Sequence, residues 1–195
     1  MKGVQRPLHR IRVTASMRAD LEVWASFLQH YNGVSFWRQE IQLEAQFQFS
    51  SDVSGSYGFG VILRDHWCAH QWPRRWRESA ICRDLTFLEL FPVAVAICLW
   101  AEVLSNATVH FWCDNLATVQ IINSLSSKNP RVMNLVRFMT ARCLQFNIVF
   151  YARHIPGLDN GVADSLSRNQ ISRFRLLAPD ARLHPDPMPQ EILES

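Results

Sequence analysis

Polar and apolar residues alternate over residues 45–52, and this period of two predicts a half-buried β-strand. Residues 57–63 and 66–72 are predicted as two further short strands. Ser54, Gly55 and Ser56 separate the first two stretches and favour a tight turn. We therefore expect three antiparallel strands joined as a meander.

The pattern then changes to helices that alternate with single strands. Helices are predicted at about 86–104, 115–125, 130–146 and 161–168, and strands at 108–113 and 147–153. Thr86 and Glu89 have the spacing of a capping box, whereas Pro92 favours a later start for the first helix, so its start stays open. Crossover helices between strands imply parallel pairing. The predicted fold class is α/β, a five-stranded mixed sheet flanked by helices.

Two flanking segments are predicted beside this domain of residues 43–170. Residues 1–42 form an N-terminal arm, in which Leu21, Trp24, Phe27 and Leu28 share one helical face that needs a surface to cover. Residues 171–195 contain four prolines and few apolar residues, which predicts a Pro-rich tail or linker. Removal of residues 174–195 is expected to cost little stability.

Composition narrows the class of protein. Hydrophobic residues make up 48% of the 195 residues, enough for a real core. The five cysteines are scattered without a Cys-x-x-Cys pair, which argues against a disulfide framework and a zinc knuckle. No apolar run approaches the ~18 residues that span a membrane. We expect an intracellular protein of the cytoplasm or nucleus, whose net charge of +3 permits a polyanionic partner without requiring one.

Four acidic residues lie at the ends of predicted elements. Asp52 and Asp114 end strands, and Glu89 and Asp164 lie early in helices. Ligands of α/β sheets bind at such strand ends, although each acid alone is also an ordinary turn or helix-cap residue. Clustered carboxylates repel unless a cation neutralises them, and hard oxygen ligands suit Mg²⁺ or Mn²⁺. Two such ions about 4 Å apart can catalyse a phosphodiester displacement.

A histidine precedes the last predicted loop, and an acid follows it. His154 ends a strand, Pro156 and Gly157 force a loop, and Asn160 can cap the helix that carries Asp164. His154 is interpreted either as a proton shuttle or as a plain loop-surface residue.

The spacing of His154, Gly157, Asn160 and Asp164 resembles the last motif of the ribonuclease H family. Residues 163–168 (Ala-Asp-Ser-Leu-Ser-Arg) resemble the version in retrotransposon polyproteins, above all DIRS-like and Ngaro-like elements. The other acids are similar to the earlier family motifs: Asp52-Val53-Ser54 to the first, with Val53 as a departure, Glu89-Leu-Phe-Pro92 to the second, and Cys113-Asp114-Asn115 to the third. The similarity covers residues 45–168.

The resemblance implies an activity and a set of catalytic residues. It implies a ribonuclease H that hydrolyses the RNA strand of RNA–DNA hybrids with two Mg²⁺ or Mn²⁺ ions, held by Asp52, Glu89, Asp114 and Asp164 and assisted by His154. The arm then resembles the connection that follows a reverse transcriptase, and the rest of that polyprotein is an expected partner. The alternatives are a catalytically inactive, retroelement-derived nucleic-acid-binding protein and a related nuclease that cuts DNA.

Six further residues are candidates for nucleic-acid contact. The loop with Arg74, Arg75 and Trp76 combines basic and aromatic groups that suit phosphate contact and base stacking. The alternative for this loop is aromatic packing onto the core. The polar side chains of Ser54, Asn115 and Asn160 are the other candidates, since they lie close to the predicted acids in the sequence.

Overall fold

Five β-strands form one mixed sheet in the computed structural model, which describes residues 12–29, 45–190 and 192. The strands are β1 (Phe47–Val53), β2 (Gly58–Leu63), β3 (His66–Gln71), β4 (Thr108–Cys113) and β5 (Val149–His154), in the spatial order β3-β2-β1-β4-β5. Neighbours among β1, β2 and β3 are antiparallel, whereas β1 with β4 and β4 with β5 are parallel. The predicted fold class is confirmed.

Seven α-helices accompany the sheet in the described part of the chain: α1 (Ala15–Gln29), α2 (Arg74–Arg77), α3 (Leu85–Trp100), α4 (Leu116–Ser124), α5 (Pro130–Gln145), α6 (Gly161–Ser167) and α7 (Ile171–Leu177). Asp84 caps the start of α3, and its side chain accepts a hydrogen bond from the Phe87 amide. The predicted Thr86 capping box is therefore wrong, because Asp84 already satisfies that helix end. Pro92 lies inside α3 without ending it. None of the helices described is long and apolar enough to cross a lipid bilayer.

The main core lies on one face of the sheet, under α3 and α5. Phe49, Phe111 and Phe150 project from β1, β4 and β5 with ring centroids 5.0–6.3 Å apart. Helix α3 is apolar on all sides and contributes twelve buried residues, so it is a core helix rather than a surface one. This burial supplies most of the apolar area that stabilises the domain.

Helix α6 covers the opposite face of the sheet at β2. A Cβ atom on Gly60 would lie 2.2 Å from the Leu166 Cβ and 2.9 Å from the Ser167 backbone nitrogen. Residues alternate between the two faces along β2, so Gly60 and Ile62 face α6 while Phe59 and Val61 face the main core. Only glycine allows α6 to come this close to the sheet.

The segment after residue 170 is docked on the domain, which corrects its prediction as a linker. Phe174 of α7 is fully buried, with its ring 4.9 Å from that of Trp67. The Trp67 indole donates to the Arg182 carbonyl at 2.7 Å, and the Asp186 carboxylate accepts from the Trp100 indole at 2.7 Å. A few widely spaced anchors hold the segment, so a count of its apolar residues does not reveal the docking. The domain limits at 42 and 170 stay predictions.

The described part of the N-terminal arm lies against α5 with few contacts. Asp20 and Arg137 form an ion pair at 2.8 Å. No residue of α1 is buried, and Trp24 is 53% exposed, so the predicted apolar face is only partly covered. The rest of the predicted arm, residues 1–11 and 30–42, lies outside the described residues.

The docked C-terminal segment leads to a first prediction. Replacing Phe174 with alanine should lower the free energy of unfolding by about 3–5 kcal/mol, because it leaves a cavity beside Trp67. Denaturant titration followed by circular dichroism measures this change. Leu176→Ala is the control, since Leu176 is 83% exposed and should change stability by no more than about 0.5 kcal/mol. Equal stability of the two variants would contradict the docking.

Candidate functional site

The parallel pairing of β1 and β4 brings two of the predicted acids to one edge of the sheet. Ser50 of β1 lies opposite Trp112 of β4. Asp52 and Asp114 each follow two residues later and therefore lie side by side. Asp52 is buried near the end of β1, and Asp114 directly follows β4. The positions of both acids at strand ends agree with the prediction.

Glu89 joins this pair from α3. Carboxylate oxygens of Glu89 and Asp114 and the Cys113 sulfur all lie within 4.8 Å of one another. The second turn of α3 faces the sheet edge, which directs the Glu89 side chain toward the strand ends. Glu89, Asp114 and Cys113 therefore have ligand atoms at a spacing that can hold a cation, and Asp52 lies close enough for its charge to raise the pKa of Glu89.

The negative charge of these three acids is poorly balanced. Burial, and then the charges of Asp114 and Asp52, raise the pKa of Glu89 to about 8. The Glu89 Oε2 atom is buried and has no hydrogen-bond partner among the described residues. Burial also raises the pKa of Asp52, while a hydrogen bond from the Ser167 hydroxyl opposes the rise. A buried carboxylate oxygen without a donor is the condition that a bound cation relieves.

Asp164 has a different environment. Its carboxylate accepts hydrogen bonds from the Arg168 Nε and, at 2.7 Å, from the Arg173 Nη1. Burial raises the pKa of Asp164, but the two guanidinium groups outweigh it and lower the pKa below its ordinary value. Asp164 lies close enough to Asp52 to raise the pKa of that residue. The fourth predicted acid is thus near the cluster, but its charge is already balanced.

The loop after β5 lies beside Asp114. His154 is the last residue of β5 and pairs with Cys113, and the Ile155 amide donates to the Cys113 carbonyl at 3.0 Å. A Cβ atom on Gly157 would lie 3.4 Å from the Asp114 Oδ2. The His154 side chain is exposed. The structure therefore brings the histidine loop to the edge that carries the acids.

The three polar candidates for nucleic-acid contact have structural roles. Asn160 is buried and donates to the Ser51 carbonyl at 2.9 Å, so its side chain does not cap α6 as predicted. The Asn115 side chain caps α4 by accepting from two backbone amides. The Ser54 hydroxyl is within hydrogen-bond distance of the Ser56 hydroxyl. A contact of any of these three with nucleic acid stays a prediction.

The aromatic half of the Trp-Arg loop packs inside the protein. Trp76 is buried, with ring centroids 5.9 Å from Trp72 and 4.8 Å from Phe91. The prediction that Trp76 stacks on a base is corrected, because the core already covers its ring. Arg74 and Arg75 are exposed, and Arg74 forms an ion pair with Glu78 at 2.7 Å.

Sequence reasoning missed four residues that shape the site. Cys113 contributes a buried thiol whose pKa is raised to about 12, first by burial, so it stays protonated. Ser167 and Arg168 lie three and four residues after Asp164, a helical spacing that could have revealed their contacts. Arg173 comes from the next helix, and no spacing rule indicates its contact with Asp164.

No family model matches the chain, and no curated protein matches it either. Similar solved structures include the N-terminal RNase H domain of rv2228c from Mycobacterium tuberculosis, with 12% identity and a TM-score of 0.44 over 68% of this chain and 99% of that one. RNase H1 from Halobacterium salinarum NRC-1 has 14% identity and a TM-score of 0.43 over 65% of this chain and 96% of that one. LC11-RNase H1, isolated from compost by a metagenomic approach, has 18% identity and a TM-score of 0.45 over 66% of this chain and 97% of that one. All three are ribonuclease H structures.

The raised pKa of Glu89 leads to a second prediction. Unfolded Glu89 titrates near 4.5 and folded Glu89 near 8, so between these values the metal-free folded protein holds a proton that the unfolded chain releases. The free energy of unfolding should therefore fall as pH rises from about 4.5 to about 8, by on the order of a few kcal/mol. Denaturant titrations in chelator across this range measure the slope.

Glu89→Gln should flatten this pH dependence, because glutamine does not titrate. Glu102→Gln is the matched control, since Glu102 is exposed and lies beyond the end of α3. Glu102→Gln should keep the slope of the unfolding free energy against pH. If Glu89→Gln kept the same slope too, the proton would not be held by Glu89.

Proposed function

We propose that this protein is a divalent-metal-dependent ribonuclease H-type endonuclease that hydrolyses the RNA strand of RNA–DNA hybrids. One observation carries the proposal: Glu89 is half-buried near Asp114 and Asp52, and its Oε2 atom is buried without a hydrogen-bond partner among the described residues. A buried carboxylate oxygen without a hydrogen bond lowers the stability of the folded protein. A cation that binds these oxygens would remove that cost.

The residues present suit Mg²⁺ or Mn²⁺. Asp52, Glu89 and Asp114 offer oxygen ligands, which hard cations prefer, and we propose two ions with Asp164 as the fourth ligand. The Cys113 thiol is a poor ligand for such a cation because it is soft and keeps its proton. Bound ions would supply activation of water and stabilisation of the leaving oxygen of a phosphodiester.

His154 would handle protons rather than metal. Its side chain is exposed at the end of β5, next to the loop that lies beside Asp114, where an approaching substrate could meet it. An imidazole can accept or deliver a proton near neutral pH, so it can protonate the leaving oxygen or assist product release.

The choice of substrate rests on the resemblance to retroelement ribonucleases H. A 2′-hydroxyl distinguishes the RNA strand from DNA at the cleavage site. The exposed Arg74 and Arg75 offer positive charge for a phosphate backbone. We propose further that the chain is a fragment of a reverse transcriptase polyprotein, with residues 1–42 as its connection.

One observation favours the alternative of a catalytically inactive, retroelement-derived nucleic-acid-binding protein. The charge of Asp164 is already balanced by Arg168 and Arg173, so this acid is less available to a cation than the other three. Such a protein would bind the hybrid without cutting it.

A cleavage assay separates these functions and is the third prediction. The purified protein should cut the labelled RNA strand of an RNA–DNA hybrid in Mg²⁺ or Mn²⁺, and excess chelator should abolish cutting. Asp52→Asn, Glu89→Gln and Asp114→Asn should each remove nearly all turnover and leave the fold intact. The control Glu102→Gln should keep normal turnover.

Different failures have different meanings. Equal cutting of duplex DNA and hybrid would refute the substrate class. Activity in chelator would refute the role of metal. Hybrid binding without any cutting would support the inactive alternative.

The fourth prediction separates His154 from the acids. His154→Ala should slow single-turnover cleavage by about 10- to 1,000-fold, roughly the size of general acid–base contributions. Its Mn²⁺ affinity should stay within about 2-fold of the original, because hard cations prefer oxygen ligands. A loss of metal binding as complete as in Asp114→Asn would make His154 a ligand, and an unchanged rate would make it a plain loop residue.

A further inference from the structure

The two arginines on Asp164 have different origins in the fold. Arg168 lies four residues after Asp164, at the end of α6, and its contact is a local helical ion pair. Arg173 belongs to α7, and its Nη1 atom reaches back to the Asp164 Oδ2 at 2.7 Å. The Asp164 side chain is 25% exposed, so both ion pairs lie at the rim of the acid cluster rather than free in solvent.

The position of Arg173 is fixed by the docked C-terminal segment. The buried ring of Phe174, the next residue, packs on Trp67, and further along the Asp186 carboxylate contacts the His66 ring at 2.8 Å. Arg173 also donates to the Gln170 side chain at 3.0 Å. These contacts hold the guanidinium group in place, so forming the ion pair with Asp164 costs little side-chain entropy.

We propose that Arg173 is a positioning residue that competes with divalent cations for the Asp164 carboxylate, so that the docked C-terminal segment sets how readily the site takes up metal. The inference rests on the proposed function. A cation that uses Asp164 must displace the guanidinium group from the Oδ2 atom. In the described part of the chain, the Glu89 Oε2 atom has no such competitor. Metal would therefore fill the two parts of the site unequally, with the part at Asp164 filled last.

Direct measurement of Mn²⁺ binding tests this competition without relying on activity. Electron paramagnetic resonance of free Mn²⁺ gives binding isotherms for the protein without nucleic acid. Arg173→Ala should raise the affinity of the weaker Mn²⁺ site by about 2- to 5-fold, because it removes a partly exposed ion pair from a ligand. Arg182→Ala is the matched control: it lies on the same segment, is equally exposed, and ion-pairs with Asp65. It should change the affinity by less than about 2-fold.

A double-mutant cycle shows whether Arg173 acts through Asp164. In an Asp164→Asn background there is no carboxylate for which Arg173 and the cation can compete. Adding Arg173→Ala should then change the Mn²⁺ affinity by less than about 2-fold. If Arg173→Ala raises the affinity equally in both backgrounds, the effect is a general change of charge, and the inference is wrong. An unchanged affinity in the single variant also overturns it.

The inference and the proposed function fail in distinguishable ways. If the original protein binds Mn²⁺ and loses it in Asp114→Asn, while Arg173→Ala has no effect, only the inference fails. If neither the original protein nor Arg173→Ala binds Mn²⁺, the acids do not form a metal site, and both proposals fail.

Discussion

The repulsion between carboxylates at the shared end of β1 and β4 is the constraint on which this structure depends. Parallel pairing places Asp52 beside Asp114, and α3 adds Glu89 to the same edge. Burial of these like charges is unfavourable, as the rise of the Glu89 pKa to about 8 shows. The largely buried α3 and the aromatic core beneath it offset that cost. Because α3 both carries Glu89 and forms the centre of the core, the acid cannot move away without loss of packing.

The second face of the sheet completes the same edge. Gly60 lets α6 approach β2 so closely that Ser167 can donate to Asp52, and Asn160 binds the Ser51 carbonyl beside it. These contacts connect the helix of Asp164 to the strand of Asp52. The acid edge is therefore held from both faces, by an apolar helix on one side and by a glycine contact with polar bonds on the other. Rigid support of this kind is what a preorganised site requires.

The sequence predicted the part of the fold that follows from local pattern. Alternation and strand-end acids were enough to predict the sheet, its helices and the placement of Asp52 and Asp114, because both depend on the period of the chain. Three features depended on distant contacts and escaped prediction. Trp76 is buried because an aromatic cluster elsewhere in the chain surrounds it. Asn160 binds a strand instead of capping its own helix. The segment after residue 170 docks through a few separated anchors, which composition cannot reveal.

The same distant contacts make the site asymmetric. On one side, the pKa values of Asp52 and Glu89 are raised by burial and by neighbouring carboxylates, and no guanidinium group forms an ion pair with either among the described residues. On the other, Asp164 has two guanidinium partners, one of which reaches it only because α7 is docked. Four acids that look equivalent along the sequence are thus unequal in their readiness to bind a cation. The docked segment contacts both β3 and the end of α3, so its attachment depends on the same core that holds Glu89 in place. Any change that loosens this core would disturb the unbalanced acid and the balanced one together, which couples the stability of the fold to the charge of the site.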